Sequence, residues 1–366
     1  MREKIPQIPQ KEINPRQKLR GEKKFDPSNQ KELTTHLFRY WRGDAHTHSQ
    51  ESSREGWGYP EGIYSEEEVM EYYQGLGLEF VAFSEHASKP GQPEKLATEH
   101  PISQSFLNQA ERIEKLNQEG GFEISAFSST EANVFFDEEN NPTIYLPEEV
   151  LQKLDLVIAS RHSIANEKDI TAIKKSLLFA INNDRVDVIG HPDRYIRLEG
   201  GIKDGENPCS EEVYWNTWEE ILDAMEQKGK AFEINFNNPP SDELLEKAAQ
   251  KNIKFMLNYD AHDFHQYKRE GPSDQGTIKK WAKEEASDED LEILQRYKLE
   301  RLTSGPGAVA ILRLARFIRK LDKLKVTPDR IINSSRENII SFLTEDRNKS
   351  TKNLEFLKEK FKTQTS

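Results

Sequence analysis

The stretch "LEFVAFSEH" (residues 78–86) decides the fold, because a nearly continuous apolar run ends there in a glutamate and a histidine. An apolar run of this length predicts a strand buried on both faces, as in a parallel sheet, whereas a half-buried strand would alternate apolar and polar residues. Six further candidate strands lie along the chain, at residues 37–46, 122–136, 154–162, 186–192, 230–235 and 253–262.

Amphipathic segments separate these strands and predict helices between them. The first opens with "SEEE", in which Ser65 and Glu68 match a capping box. Seven strands that alternate with helices favour a closed or nearly closed α/β barrel, and an open sheet is the alternative. The candidate helices are residues 66–75, 102–118, 168–183, 211–228 and 241–251.

Ionisable side chains stand at the carboxyl ends of six of the candidate strands, which meet at one face of a parallel barrel. Burying such groups together is costly unless something pairs with them, and a divalent cation suits both imidazoles and carboxylates. We therefore predict a metal site at this face, and treat the remaining histidines, His36, His100 and His265, as loop residues. The predicted cluster consists of His46, His48, His86, Glu131, His162, His191, Asp260 and His262.

Six short motifs resemble, in their order and strand context, those of the PHP (polymerase and histidinol phosphatase) family. They are "GDAHTHS" (43–49), "SEH" (84–86), "TEAN" (130–133), "ASRH" (159–162), "GHPDR" (190–194) and "YDAH" (259–262). The resemblance covers about residues 40–265 and implies a distorted (β/α)7 TIM-like barrel that holds two or three divalent metal ions, such as zinc, manganese or iron. It also implies a phosphoesterase, and similar domains occur within bacterial DNA polymerases.

The resemblance assigns ligands to each metal. The first metal takes His46, His48, Glu131 and Asp260; the second takes Glu131, His162 and His191; the third takes His86 and His262. Many relatives add a histidine or aspartate to the third site, where this chain has Ser53 and Arg54. Glu51 or Glu55 could replace that ligand, or the third site is weak or empty. Asp44 is expected to orient a ligand histidine.

The resemblance further implies hydrolysis by a metal-bridging hydroxide, with arginines on the remaining phosphate oxygens. Arg161 and Arg194 are the candidates for phosphate binding, and Lys89 is a third. Together with Glu131 and Asp260, the two arginines form the expected catalytic set.

Two loops are expected to overhang the metal face, at residues 52–64 and 87–101. Trp57, Tyr59 and Tyr64 would either stack on an organic leaving group or pin the loop itself. Glu233 and Asn235, which end the sixth candidate strand, would contact the substrate or a metal-bound water, or support the site structurally.

The net charge of −12 argues against broad nucleic-acid binding, which depends on basic surface. The single cysteine, Cys209, excludes an internal disulfide and makes a cytoplasmic location the simpler expectation. No apolar run approaches the ~20 residues of a membrane helix, and the basic N-terminus lacks the apolar region of a secretory signal.

The expected domain organisation has three parts. Residues 1–35 form a polar, basic arm, residues 36–345 the barrel with a charged helical excursion at about 265–300, and residues 346–366 a charged helix or tail. The oligomeric state stays open.

Hydrolysis of a small metabolite's phosphomonoester, as in a histidinol phosphatase, is the first functional expectation. A phosphodiesterase or nuclease is a close alternative. An amidohydrolase would need a bridging carboxylated lysine where this chain has Glu131, and a non-catalytic metal-binding module is a further alternative.

Overall fold

The structure is a computed structural model. It describes residues 40–53, 62, 64–75, 77–87, 95–161, 170–194, 210–236, 238–262 and 308–362. The predicted N-terminal arm, the excursion at 265–300, Cys209, His36 and His265 lie outside these ranges.

An eight-stranded sheet forms the centre of the described residues. Seven strands pair in parallel in the order β1-β2-β3-β5-β6-β7-β8, and β4 pairs antiparallel with β3. The seven parallel strands fall within or overlap the seven predicted runs, whereas β4 was not predicted. The strands are β1 (Gly43–Thr47), β2 (Phe80–Ala87), β3 (Ser125–Phe136), β4 (Pro142–Ile144), β5 (Leu156–Ser160), β6 (Val188–Ile189), β7 (Ala231–Asn235) and β8 (Phe255–Asn258).

The sheet closes into a barrel where β1 meets the segment that follows β8. Thr47 pairs in parallel with Ala261. The backbone N–H of His48 donates to the Ala261 carbonyl at 2.8 Å, and the Ala261 N–H donates to the His46 carbonyl at 3.2 Å. The predicted α/β barrel is therefore confirmed, with a short seam between its first and last strands.

Asn333 joins the same two strands nearer to their amino ends. Its Nδ2 donates to the Gly43 carbonyl of β1 at 2.9 Å, and its Oδ1 accepts from the Leu257 N–H of β8 at 3.0 Å. Because the Asn333 side chain is fully buried, these bonds replace strand pairing where the two strands do not pair directly.

The helices agree closely with the predicted segments between the strands. The capping box forms, since Ser65 Oγ accepts from the Glu68 N–H at 3.2 Å and Glu68 Oε2 accepts from the Ser65 N–H at 3.0 Å. In the described part of the chain, no helix is both long and apolar enough to cross a membrane. The helices are α1 (Glu66–Gly75), α2 (Pro101–Glu119), α3 (Glu148–Leu151), α4 (Ile170–Asn182), α5 (Glu211–Lys228), α6 (Asp242–Gln250), α7 (Ala308–Lys323), α8 (Arg336–Ser341) and α9 (Lys352–Lys362).

The inner face of the barrel changes from apolar to polar along the strands. Alternate residues of a strand share one face. On β2 this face begins with Phe80 and Ala82, which belong to the inner apolar cluster, and continues through Ser84 to His86. The inward-facing residues of β2 are therefore polar at the carboxyl end of the barrel, where the ionisable groups lie.

The C-terminal segment covers the opposite end. Leu354, Leu357 and Phe361 of α9 are buried in the same inner cluster as Phe80. Arg347 donates through Nη2 to the Val186 carbonyl at 2.8 Å. Helix α9 therefore packs directly on the barrel. The domain boundary predicted between residues 345 and 346 stays a prediction.

Candidate metal centre

The polar centre lies at the carboxyl ends of β1, β3 and β8, where one histidine faces two carboxylates. Nε2 of His46 is 3.4 Å from Oε2 of Glu131 and 3.5 Å from Oδ1 of Asp260. His48, two residues further on, has Nε2 3.3 Å from the same Asp260 oxygen and 3.8 Å from the same Glu131 oxygen. Four side chains from β1, β3 and the segments that follow β1 and β8 thus lie close together.

The distances from the two histidine nitrogens to the two carboxylate oxygens fit ligands of a cation better than direct hydrogen bonds, and ligand atoms of His46, His48 and Glu131 are close enough to hold one ion. Ligand atoms about 2.0–2.1 Å from a tetrahedral cation lie about 3.4 Å from one another, whereas a hydrogen bond to an imidazole would be shorter. Nε2 of His46 and Nε2 of His48 are buried and make no hydrogen bond within the described residues. The donor set of imidazoles and carboxylates is also one that divalent metals accept.

Glu131 extends the centre towards β6 through its other oxygen. Its Oε1 is 2.7 Å from Nε2 of His191, and both side chains are buried. This is the position expected of a carboxylate shared by two metals. His162, the other expected ligand of the second metal, lies outside the described residues.

Three histidines gather beside the first site. Nε2 of His86 is 3.2 Å from Nε2 of His262, and the His48 ring stacks on both, with centroids 4.3 Å and 4.2 Å away. Ring nitrogens of the three are close enough to hold one ion. Nδ1 of His86 also lies 2.8 Å from Oε2 of Glu131.

The residues that could complete the third site are not described beside its histidines. Glu51 pairs through Oε2 with Nη2 of Arg112 at 3.1 Å, and the described metal-competent group of His48, His86 and His262 does not include it. Arg54 and Glu55 lie outside the described residues, as does the side chain of Ser53.

The ring of His46 is held by Glu233 of β7. Nδ1 of His46 lies 2.6 Å from Oε1 of Glu233, and Asn258 Nδ2 donates to the same oxygen at 2.8 Å. Asp44, the expected orienting group, instead accepts from the backbone N–H groups of His46 and Tyr259, each at 3.2 Å. The orienting role in contact with the ring therefore falls to Glu233, and Asp44 fixes the backbone.

The role of Asn258 was not predicted from the sequence. Its Oδ1 also accepts from the Ala45 N–H at 3.1 Å, so this side chain joins β1 to the Glu233 carboxylate. Its position two residues before Asp260 was the available signal, because alternate strand residues share the inner face. Asn235 likewise points inward, and its Nδ2 donates to Asp260 Oδ2 at 3.1 Å.

Two of the expected ligands have left-handed backbone conformations. His191 has φ of 25° and Asp260 has φ of 59°. Non-glycine residues adopt such angles at an energetic cost, and strain of this kind is concentrated at functional sites.

Neighbouring charges give the paired histidines opposite pKa shifts. Burial would lower the pKa of His46, but the carboxylates of Glu233, Asp260 and Glu131 raise it well above its ordinary value. Burial and the nearby His262 and His86 lower the pKa of His48 well below its ordinary value. A neutral His48 keeps the ring lone pair through which an imidazole binds a metal.

The candidate phosphate ligands lie near this face by chain position. Arg161 directly follows β5 and is 5% exposed, and Arg194 is half-buried three residues after His191. Lys89, Trp57 and Tyr59 lie outside the described residues. The Tyr64 carbonyl accepts from the Gln50 N–H at 2.7 Å.

His100 is placed as a structural residue. Its Nδ1 accepts from the Ile102 N–H at 3.2 Å and caps the amino end of α2. The prediction that His100 is a hydrogen-bonded residue outside the cluster is confirmed.

Comparison with known proteins gives relatives of two kinds, and no family model matches the chain. A "Probable phosphatase" of Thermoanaerobacter sp. (strain X514) is 33% identical over 150 residues, which are 38% of this chain and 53% of that protein. The DNA polymerase/3'-5' exonuclease PolX of Bacillus subtilis (strain 168) is 28% identical over 227 residues, which are 61% of this chain and 34% of PolX. The chain thus matches about half the length of the phosphatase and a third of PolX.

Among solved structures, the chain resembles histidinol phosphate phosphatase of Lactococcus lactis subsp. lactis Il1403, crystallised with zinc, L-histidinol and phosphate. The TM-score is 0.41 at 18% identity, over 60% of this chain and 86% of that chain. The order of the motifs, the barrel that carries them and the two sequence relatives support the resemblance to the PHP family.

Proposed function

We propose that this protein is a metal-dependent phosphoesterase that hydrolyses the phosphomonoester of a small metabolite. The observation that carries the proposal is that ligand atoms of His46, His48 and Glu131 lie close enough together to hold one cation. Asp260 lies beside them, 3.5 Å from Nε2 of His46 and 3.3 Å from Nε2 of His48. Glu131 contacts His191 directly through its other oxygen, so an expected ligand of the second metal lies next to the first site.

Two adjacent divalent cations, when bound, would activate a water molecule for attack on phosphorus and neutralise charge on the phosphoryl oxygens. The protein supplies a buried set of ligands in which Glu131 would be shared by the two metals. His162, the other expected ligand of the second metal, lies outside the described residues. Arg161 and Arg194 would bind the phosphate oxygens that the metals leave free, since a guanidinium matches phosphate geometry.

A small substrate agrees with the charge of the whole chain. With a net charge of −12, the protein lacks the general basic character by which most proteins bind nucleic acid. The relative named as a phosphatase supports the same reading. A cluster of cations would allow an acidic protein to bind an anionic substrate.

A phosphodiesterase or nuclease is the second candidate, and the PolX relationship favours it. The PolX alignment covers 61% of this chain, more than the 38% covered by the phosphatase alignment. The two candidates share the metal centre and differ in whether the attacked phosphorus carries one ester bond or two.

The deciding experiment begins with elemental analysis of protein purified without added metal. The protein is then loaded with zinc, manganese or iron, and hydrolysis of p-nitrophenyl phosphate is compared with that of bis-p-nitrophenyl phosphate. We expect faster turnover of the monoester, followed by phosphate release from members of a phosphorylated-metabolite panel.

Faster turnover of the diester, together with cleavage of a labelled oligonucleotide, would establish the second candidate instead. Stoichiometric metal binding without hydrolysis of any of these substrates would show a non-catalytic metal-binding module.

A further inference from the structure

Glu233 is a fully buried carboxylate on β7 whose neighbours are hydrogen-bond donors. Oε1 lies 2.6 Å from Nδ1 of His46 and accepts from Asn258 Nδ2 at 2.8 Å. Oε2 accepts from the His191 N–H at 2.6 Å and from Asn235 Nδ2 at 3.5 Å. Each oxygen therefore faces one expected metal ligand and one asparagine.

The contact with His46 decides which ring nitrogen carries hydrogen. The other contacts of Glu233 all come from N–H donors, so its oxygens act as acceptors and Nδ1 of His46 donates to Oε1. Nε2 is then the nitrogen left for a metal, and it is the atom that faces Glu131 and Asp260.

The contact with His191 acts on the backbone. His191 has φ of 25°, an uncommon conformation for a residue with a side chain. Its N–H bond to Glu233 holds that conformation, in which Nε2 of His191 reaches Glu131 at 2.7 Å. One carboxylate thus supports a ligand of each of two neighbouring metals.

We propose that Glu233 is a positioning residue that fixes His46 for binding through Nε2 and ties His46 to the backbone of His191. This inference rests on the proposed function in that His46 and His191 are taken to bind metal. The two metal sites are then built by a single shared acceptor and do not form independently.

The substitution Glu233→Gln tests the requirement for an acceptor at both oxygens. Glutamine keeps the size of the side chain but replaces one oxygen with an NH2 group. In one orientation this NH2 faces His46 and Asn258, and in the other it faces the His191 N–H and Asn235. In either orientation the NH2 group faces another N–H donor at one of the two expected ligands, so one hydrogen bond is lost.

Asp155→Asn is a matched control at the opposite end of the barrel. Asp155 is also fully buried, and its Oδ2 accepts from the Ser128 N–H at 2.9 Å and from Asn353 Nδ2 at 2.7 Å. The control makes the same change from carboxylate to amide without a histidine partner. It therefore measures the effect of the chemical change on folding alone.

The measurements are zinc stoichiometry, zinc dissociation constants from competition with a chelator, and long-range 1H–15N spectra of histidine-labelled, zinc-loaded protein. In the wild type we expect His46 to bind through Nε2 and to carry hydrogen on Nδ1. Glu233→Gln should weaken the binding of at least one zinc by about 10–100-fold, as for other groups that orient a ligand histidine. Asp155→Asn should change zinc binding less than twofold.

Coordination of His46 through Nδ1 in the wild type would overturn the inference, even if Glu233→Gln fails to fold. Wild-type zinc affinity in a folded Glu233→Gln variant would overturn it while leaving the proposed function intact. A wild-type protein that binds no zinc, manganese or iron would refute the proposed function as well.

Discussion

The carboxylate of Glu131 lies 2.7 Å from Nε2 of His191, while its second oxygen faces His46, His48 and His86. Glu131 stands on β3 and His191 follows β6, so parallel pairing through β5 brings together groups that are 60 residues apart. A single carboxylate therefore contacts histidines that are expected ligands of two different metals.

Replacement of Glu131 by glutamine should remove the shared ligand. We expect metal content to fall from about two ions to one or none, and monoesterase activity to fall by more than about 100-fold. Elemental analysis and hydrolysis of p-nitrophenyl phosphate measure the two effects. His100→Asn is the control, because asparagine also caps helices and His100 lies outside the cluster. Unchanged hydrolysis in Glu131→Gln would place the site elsewhere.

Gly190, which precedes His191, is enclosed by β5. A Cβ at this position would lie 2.2 Å from Ser160 Oγ and 2.8 Å from Ile158 Cγ2. Gly190→Ala should therefore displace β6 and His191, at a cost of about 1–3 kcal/mol in the free energy of unfolding, and weaken metal binding. Urea unfolding and zinc titration check this expectation.

Gly75→Ala is the matched control, since nothing lies within 4 Å of its added Cβ. We expect the control to keep wild-type zinc affinity. If Gly190→Ala behaves in the same way, the crowding around β6 does not position His191.

Much of the barrel could be predicted from local patterns. Apolar runs locate the parallel strands. Helices α1 and α5 match the predicted segments because periodicity and capping are set by residues that are close together in the chain. The three-residue strand β4 was missed because so short a segment has no distinctive pattern. The first predicted strand, 37–46, begins earlier than β1, which starts at Gly43.

Contacts between segments that are distant in the chain are harder to predict from the sequence. The orienting role was expected of Asp44, the carboxylate nearest to His46 in the chain, whereas Glu233 reaches the His46 ring from 187 residues away. Barrel closure creates this neighbour, and no local pattern indicates it. Likewise, the charged composition of residues 346–366 concealed the apolar positions Leu354 and Leu357 on α9.

The seam between β1 and β8 depends on Asn333. In Asn333→Ala, the Leu257 N–H and the Gly43 carbonyl would be left without the side-chain partner that Asn333 supplies. Leaving such buried groups unsatisfied costs about 1–3 kcal/mol each, so we expect a loss of about 2–6 kcal/mol in the free energy of unfolding. The exposed Asn182→Ala is the comparison and should lose less than about 1 kcal/mol. Similar urea midpoints for the two variants would contradict this role.

Arg161 and Arg194 are expected to act on phosphate and not on metal. Arg161→Ala and Arg194→Ala should each raise KM for the monoester by about 10–100-fold, with metal content unchanged. This change in KM corresponds to the free energy of one charge-assisted hydrogen bond. Arg185→Ala is a control, since Arg185 pairs with Glu148 at 3.2 Å on the surface. A loss of metal with either variant would show that the arginine supports the ligands, and an unchanged KM would remove it from the phosphate site.

Lys230 lies at the end of the barrel away from the metal centre, and we expect it to make the stability of the protein depend on pH. Its side chain is buried, and Nζ donates to the carbonyls of Val186 at 2.6 Å and Asn183 at 2.8 Å. Burial, assisted by the charge of Arg347, lowers the pKa of Lys230 from 10.5 to about 7, although Asp187 opposes the shift. Between pH 7 and 10 the unfolded chain therefore holds a proton at this lysine that the folded protein lacks.

The unfolded state binds more protons in this range, so the contribution of Lys230 to stability should increase as pH rises from 7 to 10 and be lost as pH falls towards 7. Lys230→Met removes the titration at nearly constant size. We expect the unfolding free energy of the wild type, measured relative to Lys230→Met in urea at pH 7, 8, 9 and 10, to increase steadily. Taking the difference between the two proteins cancels the other groups that titrate in this range. A constant difference would mean that Lys230 remains charged in the folded protein, held by the two carbonyls and Asp187.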